Sequence, residues 1–289
     1  MLDQITPLIL TYNEEPNIPR TLYSLNWAER VVVLDSGSSD QTEAICRSFP
    51  NVEWRVRTFD SHRNQWSYGV YNTDINTKFV LALDADMVVP PAFAEELTSC
   101  FLPRDFAGGW VPFKYSVLGR KLPGSIYPTQ LRLFKPSLVQ ITQKGHTQEF
   151  SSSGELYRFK SHLIHDDRKS LERWVTSQVI YSALEAKHIE SGETSRIWNR
   201  LRLAGLTPMI APVLAYLRAG GPFSGRAAVR YAYERTLYEC LLVIRLLSKN
   251  IENNNEASIT GERDCASSTP NVSSQRGSET IRTEEVVHD

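Results

Sequence analysis

The chain has 289 residues, 41% of them hydrophobic, and a formal net charge of −1. That length suits one large α/β domain or two small ones with a real core, and the balanced charge excludes the electrostatic signature of a nucleic-acid binder. Cys46, Cys100, Cys240 and Cys265 lack metal or redox spacing, so a reduced, cytosolic compartment is expected; the first residues carry no signal-peptide pattern, and no run reaches the ~18 apolar residues of a bilayer span.

Ile5 to Leu10 reads as a buried strand that ends in the polar loop Thr11-Tyr12-Asn13-Glu14-Glu15. Ile18 to Leu25 has helical spacing. Val31 to Leu34 is a second apolar, β-branched run, followed by Asp35-Ser36-Gly37-Ser38-Ser39-Asp40, which supplies an N-cap for a helix over Glu43 to Phe49. Val52, Trp54 and Val56 alternate as in a half-solvated strand. A helix over Asn64 to Asn72 leads to the strand Phe79 to Leu83, which stops abruptly in Asp84-Ala85-Asp86. Pro90-Pro91 opens a helix over Phe93 to Cys100. Strands alternating with helices predict a mostly parallel sheet flanked by helices.

From Phe106 to Asp167 the pattern is less regular, with strand-like runs at Trp110–Phe113, Leu131–Phe134 and His162–Ile164. Leu171 to Ile189 is helical by period. A helical, basic extension is expected over 191–249, and an unstructured tail over 250–289, where large apolar groups are scarce. The main domain is 1–190, with a nucleotide half at about 1–105 and an acceptor half at about 106–190.

Parallel sheets bind ligands at the carboxyl ends of their strands. Three polar loops fall there: Thr11–Glu15, Asp35–Asp40 and Asp84–Asp86. Two carboxylates one residue apart after a buried strand suit a divalent cation, which can neutralise a diphosphate.

With these motifs in order the chain resembles the family 2 glycosyltransferases, which have the GT-A fold. Phe59-Asp60-Ser61-His62 with Gln65-Trp66, and His165-Asp166-Asp167-Arg168-Lys169, resemble the branch that builds bacterial cell-surface polysaccharides, including the lipopolysaccharide core. The resemblance implies that Asp86 ligates Mg²⁺ or Mn²⁺ through the diphosphate, while Asp84 contacts ribose or a metal-bound water. It implies His165 as a further metal ligand, which would favour Mn²⁺. Asp35 either accepts from the N3–H of uracil or only starts its turn. Thr11 and Tyr12 are expected to frame the base, Glu14 to reach the ribose or a backbone N–H, and Arg63 to meet a phosphate oxygen.

Inverting transfer also needs a general base. The candidates are Asp166, then His146, with Asp167 and Glu149. The segment Gly145-His146-Thr147-Gln148-Glu149 resembles an acceptor-side motif whose glutamate is Thr147 here.

In the extension, Arg196, Arg200, Arg202, Arg218, Arg226, Arg230, Arg235, Arg245 and Lys249 are opposed by Glu234 and Glu239 alone. Apolar stretches among them suit the headgroup region of an anionic membrane; an oligomer interface or a helical cap is the alternative.

The resulting expectation is an inverting glycosyltransferase on the cytoplasmic membrane face, moving sugar from a UDP-linked donor to a glycan or lipid-linked acceptor. A non-catalytic binding module is the alternative. A nucleotidyltransferase fits less well, because Thr11–Glu15 is acidic and lacks the glycines of a phosphate loop.

Overall fold

In the computed structural model, which describes residues 1–144, 147–192 and 197–266, the first half of the chain alternates strand and helix. The order is β1 (Ile5–Thr11), α1 (Ile18–Tyr23), β2 (Val31–Asp35), α2 (Thr42–Arg47), β3 (Val52–Val56), α3 (His62–Tyr71) and β4 (Phe79–Asp84). Then come β5 (Met87–Val88) and α4 (Pro91–Glu96), continued by a π-helical turn over Leu97–Phe101.

The middle holds β6 (Gly108–Val111), β7 (Phe113–Val117), β8 (Arg120–Lys121), β9 (Gln130–Phe134), β10 (Val139–Lys144), β11 (Thr147–Ser152), β12 (Leu156–Arg158) and β13 (Leu163–His165). The helices α5 (Leu171–Glu190), α6 (Ile197–Leu203), α7 (Thr207–Arg218) and α8 (Gly225–Ala266) follow.

The main sheet runs β12-β6-β9-β4-β1-β2-β3. Strands β3, β2, β1 and β4 are parallel, β9 runs against β4 and β6, and β12 is parallel to β6. This is the mostly parallel α/β sheet that the alternation predicts. The β-branched and aromatic runs are its core: Ile9, Val31, Val33, Phe79, Leu81 and Leu83 pack with Phe93 and Phe101 on one face. Leu8, Val32, Trp66, Val80 and Phe134 pack on the other. Burial on both faces is why these strands read as continuous apolar runs.

Where one strand was expected over Trp110–Phe113, the chain changes sheets at Pro112. Proline cannot donate to a ladder, so β6 stays in the main sheet and β7 starts a smaller one, β5-β13-β7-β8. In that sheet Met87 pairs with His165 and Val88 with Ile164. The pairing lays the Asp84–Asp86 loop beside the end of β13, with the Asp166 N–H donating to the Asp86 carbonyl at 2.9 Å.

Residues 1–247 form one compact unit, and a second begins at Ser248. Helices α7 and α8 close over the small sheet, with Ala215, Ala219, Ala228 and Tyr231 against Tyr115 and Val117. The tail expected from residue 250 is helical as far as Ala266. Extending a helix that already exists needs no new nucleus, so a polar sequence can carry it on. Residues 267–289 lie outside the described residues. Among the described residues no helix is long and apolar enough to cross a membrane.

Candidate active site

The first two loops lock together before anything else is bound. Asn13 takes a left-handed conformation, φ 55°, which asparagine tolerates better than most residues. Its side-chain oxygen then accepts from the Ser39 N–H at 2.7 Å, and its own N–H donates to Ser38 Oγ at 2.6 Å. Gly37 supplies the positive φ (95°) that turns the second loop.

Asp35 is 1% exposed and sits under this junction. One oxygen accepts from the hydroxyls of Thr11 and Ser38, the other from the N–H groups of Gly37 and Ser38. Those four bonds use the lone-pair sites of the carboxylate. Of the two roles weighed for Asp35, the geometry favours the turn over contact with a base. Asp40 accepts from Thr42 at the start of α2 and from the Glu15 N–H. Tyr12 stands 56% exposed at the loop mouth, its carbonyl held by Arg173 of α5. Arg63 is exposed on the first turn of α3.

The two aspartates after β4 separate in role. Asp84 is bound by Arg132 of β9, whose Nη2 and Nη1 lie 3.0 and 3.4 Å from its two oxygens. Arg132 is 2% exposed and also donates to Gln130 Oε1 at 2.8 Å. Burial pushes the Asp84 carboxyl up, but the Arg132 charge and hydrogen bonds hold it below the usual carboxylate range. Asp84 is expected to contact ribose or a metal-bound water; in the structure both its oxygens face a buried arginine, and its side chain keeps 38% exposure. The signal was in the sequence, as one arginine inside the apolar strand Leu131–Phe134.

Asp86 is 8% exposed, and one of its carboxylate oxygens, Oδ1, is buried with no partner. Its other oxygen lies 3.5 Å from His165 Nε2, too far for a good hydrogen bond. Burial pushes its carboxyl above the usual range. The imidazole is fixed by Tyr115, stacked at 5.0 Å and 14°, and by Tyr127 at 5.3 Å. Its Nδ1 is also buried and unpartnered.

An oxygen and a nitrogen 3.5 Å apart lie within reach of one ion, although the neighbouring donors of an octahedral ion with bonds of about 2.1 Å stand closer, about 3.0 Å apart. Among the described residues no group of three or more His, Cys, Asp or Glu side chains could hold a metal. A pair of side chains alone would leave the remaining donors of an ion to come from substrate phosphates and water.

Behind this pair lies a buried charge network. Asn17, 0% exposed, donates to Glu14 Oε2 and Asp167 Oδ1, both at 2.8 Å, and accepts from Arg20 and from the Arg168 N–H. One amide thus joins the first loop to a segment 150 residues away. Lys169 Nζ lies 2.9 Å from Glu14 and 3.3 Å from Asp167. Burial opposes the Lys169 charge, yet Asp86, Glu14 and Asp167 together hold it protonated. Glu14 is pushed up to about 7 by burial and by the charge of Asp86, against the pull of Lys169. Asp167 stays below its usual range, because Lys169 and the Asn17 and backbone hydrogen bonds outweigh burial.

The residues expected to act as general base are placed unequally. Both oxygens of Asp166 are engaged: Oδ2 by Arg168 at 2.8 and 3.0 Å, with Arg20 at 3.5 Å, and Oδ1 by the Gly119 N–H at 3.0 Å. Asp166 is the anchor of a hairpin turn, which speaks against its taking a proton from an acceptor. Gly119 has φ +83°, and a side chain there would meet Arg168 at 2.7 Å. Asp167 is tied into the Asn17 network. Glu149 is exposed on the β10–β11 hairpin, opposite Thr142. His146 lies outside the described residues.

Some of the C-terminal arginines have partners within the fold. Arg202 is paired with Glu239 and Glu185, Arg230 with Glu234, and Arg245 with Ser182 and the Val179 carbonyl. Arg200, Arg218 and Arg226 remain exposed. Helix α7 turns small residues, Ala211 and Ala215, inward. Its large apolar side chains face out, with Met209 75%, Val213 57% and Leu217 61% exposed, and Phe223 follows at 94%.

The model of the family described as glycosyl transferase family 2 matches residues 8–163, more than half of the chain. The lipopolysaccharide core biosynthesis glycosyltransferase LpsC of Rhizobium meliloti (strain 1021) is 23% identical over 226 residues, which cover 75% of this chain and 82% of that protein. Residues 1–349 of S. aureus TarS, solved in complex with UDP-GlcNAc, are 14% identical with a TM-score of 0.46, over 85% of this chain and 92% of that one. Glucosyl-3-phosphoglycerate synthase from Mycobacterium tuberculosis, solved with Mn²⁺, UDP and phosphoglyceric acid, is 18% identical with a TM-score of 0.39, over 62% and 76%.

Proposed function

The chain belongs to glycosyl transferase family 2, and from that premise we propose that it moves a sugar with inversion from a UDP-linked donor to a membrane-associated glycan or lipid-linked acceptor of cell-surface polysaccharide synthesis. The observation that carries the reading is Asp86 facing His165 at the carboxyl edge of a parallel sheet, each with a buried polar atom left unpartnered.

Asp86 and His165 would hold Mg²⁺ or Mn²⁺, which would supply positive charge to offset the negative charge that grows on a leaving diphosphate. The protein does the rest by position. Tyr115 and Tyr127 keep the imidazole in place, Arg132 keeps Asp84 ionised and out of the way, and Asn17 ties the nucleotide loops to the segment bearing His165. Tyr12 offers an exposed ring for base stacking at the loop mouth. The acceptor oxygen forms its bond to the anomeric carbon on the face opposite the departing UDP.

The name of the LpsC relative supports an acceptor of the lipopolysaccharide-core type. The outward apolar face of α7, with Arg218 and Arg226 near it in sequence, supports docking to an anionic membrane on its cytoplasmic face. Thermal unfolding with Mn²⁺ and UDP, GDP or dTDP tests the donor, since a ligand that binds only the folded state raises apparent stability. UDP is expected to stabilise most. Stabilisation by another nucleotide alone would overturn the UDP assignment, and stabilisation by none would overturn the reading.

A further inference from the structure

Helix α8 contributes a carboxylate that the reading above leaves idle. Glu234 Oε1 accepts from Arg230 Nε at 3.1 Å, one helical turn earlier. Its Oε2 is buried and has no partner, although the side chain keeps 12% exposure. Leaving one oxygen of a buried carboxylate unmade is expensive, and Oε2 keeps its lone pairs free although Arg235, the next residue, also has a buried Nε without a partner.

Glu234 opens on a cleft. Its walls are Tyr115 to Leu118 of β7 and the turn after it, Trp174 of α5 and Arg230 of α8; Asp167 and Lys169 also line it. The cleft abuts the proposed cation pair through a single ring, since Tyr115 lines it and stacks on His165 at 5.0 Å. The cavity, about 10 Å³, has room for one water or hydroxyl group beside the carboxylate and guanidinium.

We propose that this cleft receives the attacking hydroxyl of the acceptor glycan and that Glu234 Oε2 takes its proton. The inference rests on the glycosyltransferase reading above. As the acceptor oxygen bonds to the anomeric carbon, the bond from that carbon to the diphosphate oxygen breaks. The electron pair leaves with the diphosphate and the proton passes to Oε2. Both oxygens of Asp166 are committed to Arg168 and Gly119, and Oδ1 of Asp167 is committed to Asn17 and Lys169, whereas Oε2 of Glu234 is uncommitted. The groups facing Glu234 are Arg230 and Arg235 on its own helix, Asp167 from the segment after β13 and Tyr115 from β7. Burial raises the Glu234 carboxyl above its usual range, the two arginines oppose this, and Asp167 adds to it. A carboxylate so raised is better matched to proton transfer near neutral pH.

The test uses the full chain with Mn²⁺ and UDP-glucose, water standing in for the acceptor, and measures UDP release beside UDP affinity. Glu234→Gln keeps the bond from Arg230 but cannot take a proton. Its turnover is expected to fall at least 100-fold with UDP affinity within twofold of wild type, and the acid limb of the wild-type rate–pH profile is lost. Glu234→Asp retains the charge on a shorter arm; its rate falls while its acid limb stays. Glu234→Gln turnover within threefold of wild type overturns the proposal. So does an equal loss of UDP affinity in both Glu234 variants, which would make the residue structural. Loss of turnover in Asp167→Asn with Glu234→Gln intact would move the role to Asp167. A wild-type protein that neither binds nor turns over any nucleotide sugar counts against the glycosyltransferase reading, not against the choice of Glu234.

Discussion

The two aspartates of the Asp84-Ala85-Asp86 turn should respond to substitution in opposite ways. Asp84→Asn removes the charge from the partner of Arg132, whose side chain is 3% exposed. The guanidinium keeps its bond to Gln130 and lies 5.8 Å from the Phe113 ring, but no full negative charge then faces it. Breaking a buried pair from one side costs about 3–5 kcal/mol. Asp84 is itself 38% exposed, and the amide retains one acceptor, which places the cost at the low end, about 3 kcal/mol. For a chain of this size that is a fall in Tm of roughly 6–12 °C.

Asp86→Asn is different. Here the wild-type carboxylate is buried with an unpartnered oxygen, so removing its charge relieves a desolvation cost. Its stability in chelator-treated buffer should lie within about 1 kcal/mol of wild type, while metal-dependent sugar transfer is lost. Thermal unfolding of the three proteins with chelator, followed by a transfer assay with Mn²⁺, decides the matter. Equal destabilisation by both substitutions, or an Asp86→Asn protein that is the less stable of the two, would refute the division of roles.

Asn17→Ala deletes four hydrogen bonds at a fully buried position and should cost about 3 kcal/mol in urea unfolding; a loss under 1 kcal/mol would mean the two segments hold together without it. Glu14 is raised from 4.5 to about 7 in the folded state. The stabilisation this gives is full below pH 4.5 and is lost as pH rises through 7, so the wild-type protein should lose about 2–3 kcal/mol between pH 5 and 8 relative to Glu14→Gln; parallel pH profiles would show that Glu14 titrates normally. Replacing Met209, Leu217 and Phe223 by serine, all strongly exposed, should leave Tm unchanged and lower co-sedimentation with anionic vesicles at least tenfold. Unchanged vesicle binding would remove α7 as the membrane face.

The parallel half of the fold was legible because its strands are buried on both faces and therefore spell themselves out, as in Val31–Asp35 and Phe79–Asp84. The three edge loops followed from that alternation, since a parallel sheet has its site where its strands end. Pairings across long stretches of sequence were not legible. Nothing local marks Asn17 as the partner of Asp167, or the Gly119 N–H as a donor to Asp166. Arg132 was visible as a charge among apolar residues, but a lone charge does not say which oxygen it faces. Counting the C-terminal arginines likewise overstated the basic surface, because Arg202 and Arg230 are spent on glutamates within the fold.

The central claim is that Asp86 and His165 hold a cation through which the nucleotide diphosphate binds. Calorimetric titration of UDP into the wild-type protein and into Asp86→Asn, each with Mn²⁺ and with chelator, tests it most directly. The account predicts binding to the wild-type protein that requires Mn²⁺ and is lost in Asp86→Asn. UDP binding of equal strength with and without the ion, or undiminished in Asp86→Asn, would contradict it.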